Sequence, residues 1–107
     1  MVSGYISELN DVNWEYFTSS GVVLVDLYAD WCVPCQLMSP IIHEISIETY
    51  GQVNVGRMNI DLNQDITSNL QLLDVPTFII FKDGEIVSRM SGTMDKENIL
   101  YELNKFI

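Results

Sequence analysis

A chain of 107 residues, 48% of them apolar, suits one compact domain with one core, and residues 1–107 are read as a single domain without repeats or linker-like stretches. Fifteen acidic residues against five basic ones leave a formal net charge of −10, which argues against nucleic acid or an anionic membrane as partner. The N-terminus has no basic residue followed by an apolar stretch, and no apolar run is long enough to cross a bilayer, so a soluble, reducing, cytoplasmic setting is expected.

Taken in order, Ser3 to Leu9 alternates around Tyr5 and Ile6 and reads as an edge strand. Asn10 or Asp11 is placed to cap a short helix through Trp14, Tyr16 and Phe17 that ends near Gly21. The run Val22-Val23-Leu24-Val25-Asp26-Leu27-Tyr28-Ala29 reads as a buried strand. From Pro34 to Tyr50, Leu37, Met38, Ile41, Ile42 and Ile45 recur at helical spacing, with Pro40 as a kink and Gly51 as the stop. His43 on that helix has no ligating neighbour and reads as a surface residue.

Val53 to Ile60 reads as a further strand, which makes strand, helix, strand a parallel βαβ unit. Asn63 to Leu73 is read as a helix with Ile66, Leu70 and Leu73 in phase. Pro76 precedes the strand Thr77 to Phe81, and Asp83-Gly84 turns the chain into a second strand through Ile86-Val87, an antiparallel hairpin. Asp95 is placed to cap a last helix that presents Ile99, Leu100, Leu103 and Phe106 on one face. The expected fold class is α/β: three layers, with a mixed sheet of about five strands and four helices on its two faces.

Chemistry enters where the central strand hands over to the long helix, at Trp31-Cys32-Val33-Pro34-Cys35. The first turn of a helix has N–H groups without intrahelical partners, and they favour a negative charge, so a thiol there ionises more readily. Cys32 is therefore the candidate nucleophile. Cys35 lies one turn on, within disulfide reach, and is the candidate resolving thiol. A zinc site would need two ligands beyond this pair, and His43 is the only histidine. A static staple is the other alternative, although so short a loop removes little unfolded-chain entropy. Asp26, inside a doubly covered strand, should be buried, and desolvation should raise its proton affinity. The alternative for Asp26 is a purely structural residue hydrogen-bonded to backbone.

These residues, with Pro40, Asn59-Ile60-Asp61, Val75-Pro76-Thr77, Lys82-x-Gly84 and Gly92, make the chain resemble the thioredoxin family almost end to end. The resemblance implies the thioredoxin fold and a general protein disulfide reductase, with electrons supplied by a thioredoxin reductase and delivered to client proteins. It implies no bound cofactor or metal, the redox group being the Cys32–Cys35 pair. It further implies that Asp26 deprotonates Cys35, that the peptide before Pro76 is cis, and that Trp31, Val75, Pro76, Gly92 and Thr93 form an apolar lip for partners. A monomer is expected. The runner-up is a thioredoxin-like adaptor or redox-sensing module with little turnover.

Departures from the family pattern fall around the sulfurs. Val33 stands where glycine is commonest before Pro34, and Gln36 where lysine is frequent, so a shifted redox potential is expected. Arg57 takes the place of a lysine near the buried acid, and an arginine biases that acid without shuttling its proton. Tyr28 stands where tryptophan is common, and Asp74 adds an acid beside the lip, which favours basic clients.

Overall fold

The computed structural model describes residues 5–107. In chain order it contains β1 (Ile6–Leu9), α1 (Trp14–Thr18), β2 (Val22–Tyr28), α2 (Val33–Glu48), β3 (Asn54–Asn59), α3 (Gln64–Asn69), β4 (Thr77–Lys82), β5 (Glu85–Ser91) and α4 (Lys96–Asn104). This is the succession that the periodicities predict. Of the expected first strand, Ser3 and Gly4 lie outside the described residues.

The strands form one five-stranded sheet in the order β1-β3-β2-β4-β5. β1 and β2 both run parallel to β3, while β4 runs antiparallel to β2 and to β5. Six of the seven residues of β2 are buried, because helices cover both faces. On one face Val22 and Leu24 meet Met38, Ile42 and Ile45 of α2 and Ile99 and Leu103 of α4. On the other, Val23, Val25 and Leu27 meet Trp14 of α1, with Phe17, Ile66 and Leu70 packed at the edge. Each fully buried Leu, Ile or Phe contributes roughly 1.5–3 kcal/mol, so these two faces hold the strand ends where the site is built.

The β4–β5 connection follows the expected turn chemistry, Asp83 and Gly84 both having positive φ (49° and 88°) as a two-residue hairpin turn requires. Elsewhere the structure corrects the sequence reading. The α3 helix stops at Asn69, and Gln71 turns left-handed at φ 53°, so Leu73 is not in phase with Ile66 and Leu70 but 97% exposed. Leu37 likewise points away from the core and is 63% exposed, since Met38, Ile42 and Ile45 already fill the contact with the sheet. The first helix begins only at Trp14. Asn10 closes the turn before it, its Oδ1 accepting from the amides of Val12 and Asn13. Asp95 does occupy the N-cap of α4, without a side-chain cap hydrogen bond.

Candidate active site

Beyond β2 the chain passes through Ala29, Asp30 and Trp31 and enters α2 with Cys32 as N-cap, in extended conformation (φ −92°, ψ 103°). The amide of Cys32 donates to the Ala29 carbonyl at 3.2 Å, fixing the approach to the helix. Pro34 sits in the first turn, where its missing N–H leaves no helical bond unmade. The Cys35 amide donates to Cys32 Sγ at 3.1 Å, so the sulfur itself serves as the capping acceptor. Such a bond stabilises a thiolate at that position more than a thiol.

Cys32 and Cys35 are joined as a disulfide, with their Cα atoms 5.2 Å apart. They pack with Ala29, against Tyr28, Ile60 and Val75. Cys32 is 3% exposed and Cys35 6%, so the oxidised pair offers little sulfur surface and a partner must fit closely against the rim to reach it. Trp31 stands out from that rim at 68% exposure, its indole N–H donating to Asp61 Oδ2 at 2.8 Å. Val33 is exposed as well. Gln36 reaches back to donate to the Asp30 carbonyl.

The Val75–Pro76 peptide is cis, and Pro76 is buried at the head of β4. The Pro76 carbonyl accepts from the amide of Gly92 at 2.9 Å, and Gly92 has φ 86°, so these two positions are tied to each other directly. Thr93, the neighbour of Gly92, is exposed and lines a shallow groove of about 290 Å³ with Leu37, Ile41, Met94 and Asp95.

Behind the disulfide lies a second cleft, of about 300 Å³, lined by Asp26, Tyr28, Asp30, Cys35, Gln36 and Arg57 among others. Asp26 is 6% exposed, and its Oδ1 has no hydrogen-bond partner. Burial pushes its pKa up from 3.8 to about 7; Arg57 pulls in the opposite direction and Glu8 adds to the rise. Arg57 faces Asp26 across the β2–β3 pairing, yet its Nε lies 3.4 Å from Glu8 Oε1 and its guanidinium 3.8 Å above the Tyr28 ring. The Tyr28 hydroxyl, raised to about 12 by burial and then by Glu8, donates to Glu8 Oε2 at 2.7 Å.

The geometry thus combines a capped sulfur, a second sulfur on a cleft, and in that cleft an acid that titrates near neutrality. The thioredoxin family profile matches residues 5–105. The thioredoxin of Chlamydia pneumoniae is 38% identical over 97 residues, covering 91% of this chain and 94% of that protein. Thioredoxins of Staphylococcus saprophyticus and Listeria monocytogenes are each 33% identical over 102 residues, 95% of this chain and 98% and 99% of theirs. The chain belongs to the thioredoxin family.

As a thioredoxin-family protein with its CxxC pair intact, it is a protein-disulfide oxidoreductase. Its fold is the thioredoxin α/β arrangement. Two contacts of the site were not apparent from sequence. Asp61 meets Trp31 from thirty residues further along the chain, and Glu8 reaches Arg57 and Tyr28 from an edge strand. Only the parallel registers of β1 and β2 on β3 would have revealed the second. Among the described residues no cluster of His, Cys, Asp and Glu side chains forms a metal site.

Proposed function

We propose that the whole chain works as one monomeric thioredoxin domain of the cytoplasm, taking electrons from a thioredoxin reductase and passing them to disulfides of client proteins. The observation that carries the residue assignment is the pairing of a capped Cys32 sulfur with an acid-lined cleft on the Cys35 side. In the reduced protein the Cys32 thiolate attacks one sulfur of a client disulfide. A mixed disulfide forms, and the other client sulfur leaves as a thiolate.

Asp26, as carboxylate, then accepts the Cys35 proton, directly or through water. The Cys35 sulfur attacks Cys32 Sγ, the Cys32–Cys35 bond forms, and the second client thiolate leaves. Two electrons have passed to the client. No cofactor takes part in this scheme. Partners dock on a lip of Trp31, Val75, Pro76, Gly92 and Thr93, and Asp74 beside it favours basic clients. Val33, Pro34, Gln36 and Arg57 tune the potential through chain stiffness and local charge. Consistent with a non-membrane role, no helix among the described residues is long and apolar enough to span a bilayer.

The test is coupled turnover: the oxidised protein should be reduced by thioredoxin reductase and should then reduce insulin. A Cys32→Ser, Cys35→Ser double variant should fail to replace thioredoxin in a deficient cell. Full replacement by that variant would instead mark the protein as a docking adaptor.

A further inference from the structure

On one face of the sheet three charged residues lie in a row across three strands. Glu8 of β1 is in register with Arg57 of β3, and Arg57 is in register with Asp26 of β2. A single cation therefore stands between two carboxylates, and its conformation decides which of them it serves.

The structure shows the choice made. Arg57 Nε is 3.4 Å from Glu8 Oε1, and the guanidinium carbon is 3.8 Å from the centre of the Tyr28 ring, a cation–π distance. Tyr28 donates its hydroxyl to the other Glu8 oxygen at 2.7 Å. Glu8 is thereby held at both oxygens, and Arg57 by a carboxylate and a ring face. Asp26 Oδ1 is left buried without a hydrogen-bond partner.

We propose that Glu8 is a positioning residue of the redox reaction: it holds the Arg57 guanidinium over the Tyr28 ring and off the Asp26 carboxyl, which keeps that carboxyl able to take up and return the Cys35 proton. Arginine cannot share its own proton with Asp26, so its influence there is exerted through placement alone. A guanidinium closed onto Asp26 would hold the carboxyl ionised and hydrogen-bonded, a weak proton acceptor near neutrality.

The titratable groups around Asp26 are Arg57 from β3, Glu8 from β1, Tyr28 from β2, Asp30 from the following loop and Cys35 from α2; β4 contributes the apolar Phe78. The directions agree with this placement, Arg57 lowering and Glu8 raising the pKa of Asp26 against a dominant rise from burial. For turnover the inference rests on Asp26 acting as the proton relay.

The experiment follows the Asp26 carboxyl by carbon NMR through a pH titration, in the oxidised protein and in Glu8→Gln, Arg57→Gln and the double variant. Glu8 is 43% exposed, so Glu8→Gln keeps shape and fold. It should lower the Asp26 midpoint by about one pH unit, the effect of an opposite charge brought close. With Arg57 already replaced, the same substitution should give less than half that shift. Tyr28→Phe should shift the midpoint the same way by less, since it frees one Glu8 oxygen. The acid limb of insulin reduction should move to lower pH in Glu8→Gln. An unchanged midpoint, an equal shift with and without Arg57, or a moved midpoint with an unmoved activity profile would each overturn the proposal. Failure of the relay itself shows separately, as a pH profile that Asp26→Asn leaves unaltered.

Discussion

Asp26 and Arg57 face each other across two paired strands, and the carboxyl nevertheless titrates near neutrality because burial outweighs the guanidinium. A large desolvation and a smaller Coulomb attraction act in opposite directions here, and the first wins. That balance reaches both stability and turnover.

Stability should therefore fall with pH across a defined window. The folded pKa is about 7 against 3.8 for the unexposed reference, so between those values the folded state holds the extra proton. Unfolding free energy then drops by about 1.4 kcal/mol per pH unit on this account, and the loss is complete above the folded pKa. The full penalty is on the order of 4 kcal/mol. Asp26→Asn removes the charge but buries an amide, so a gain of roughly 2–3 kcal/mol is expected at pH 8 and almost none at pH 4. Urea unfolding of both proteins at the two pH values checks this. The same variant should resolve mixed disulfides several-fold more slowly, a stabilised protein with impaired function.

Reactivity of the two thiols should differ sharply once the disulfide is reduced. Cys32 Sγ is the acceptor of the Cys35 amide at the start of a sixteen-residue helix, whereas Cys35 lies within the first turn and is buried on the cleft. Iodoacetamide at pH 7 should label Cys32 about tenfold faster than Cys35, as activated thiols of this kind react. Cys35→Ser should accumulate clients as mixed disulfides on Cys32, and Cys32→Ser should accumulate none. Equal labelling of the two cysteines, read by mass spectrometry of the digested protein, would reverse their assignment.

How much of this was legible in the sequence depended on whether a contact is local. Periodicity located every strand and helix, because β2 is a nearly continuous apolar run and α2 repeats its buried residues one turn apart. It overreached at Leu37 and Leu73, since an apolar residue in phase with a helix is buried only if the helix continues and a neighbour covers it. Gln71 ends that continuity with a left-handed turn. Likewise the strand-to-helix setting of Cys32 is local and could be read directly. The partners of Trp31 and Arg57 arise from strands and loops far apart in the chain, and alternation within Ile6–Leu9 could not tell which residue of β3 Glu8 would meet.

Trp31 gives a case where a hydrogen bond should act on function more than on stability. Its indole donates to Asp61 at 2.8 Å, and both groups are exposed, so water replaces the bond readily if it is lost. What is lost is a fixed orientation for a large apolar side chain at the rim. Asp61→Ala should leave the thermal midpoint almost unchanged and raise the KM for insulin by roughly fivefold, about 1 kcal/mol of docking. Turnover at saturation should hold. A fall in kcat with KM unchanged would place Asp61 in the chemistry instead.

Two glycines should respond to alanine for opposite reasons. At Gly56, in the middle of β3, an added Cβ would come within 2.7 Å of Leu9 Cδ1 and 2.9 Å of its Cγ, with Phe17 at 3.0 Å. Leu9 is 1% exposed and has no free space to retreat into, so Gly56→Ala is an overpacking change expected to cost about 1–3 kcal/mol. At Gly92 nothing lies within 4 Å of an added Cβ, and the difficulty is φ 86°, a conformation that alanine adopts only with strain. Gly92→Ala should cost about 1–2 kcal/mol through the backbone. Because the Gly92 amide is bonded to Pro76, relief of that strain would displace the segment beside the disulfide. Gly56→Ala should therefore lower the thermal midpoint with insulin reduction intact at low temperature, while Gly92→Ala should slow insulin reduction even where the protein is fully folded.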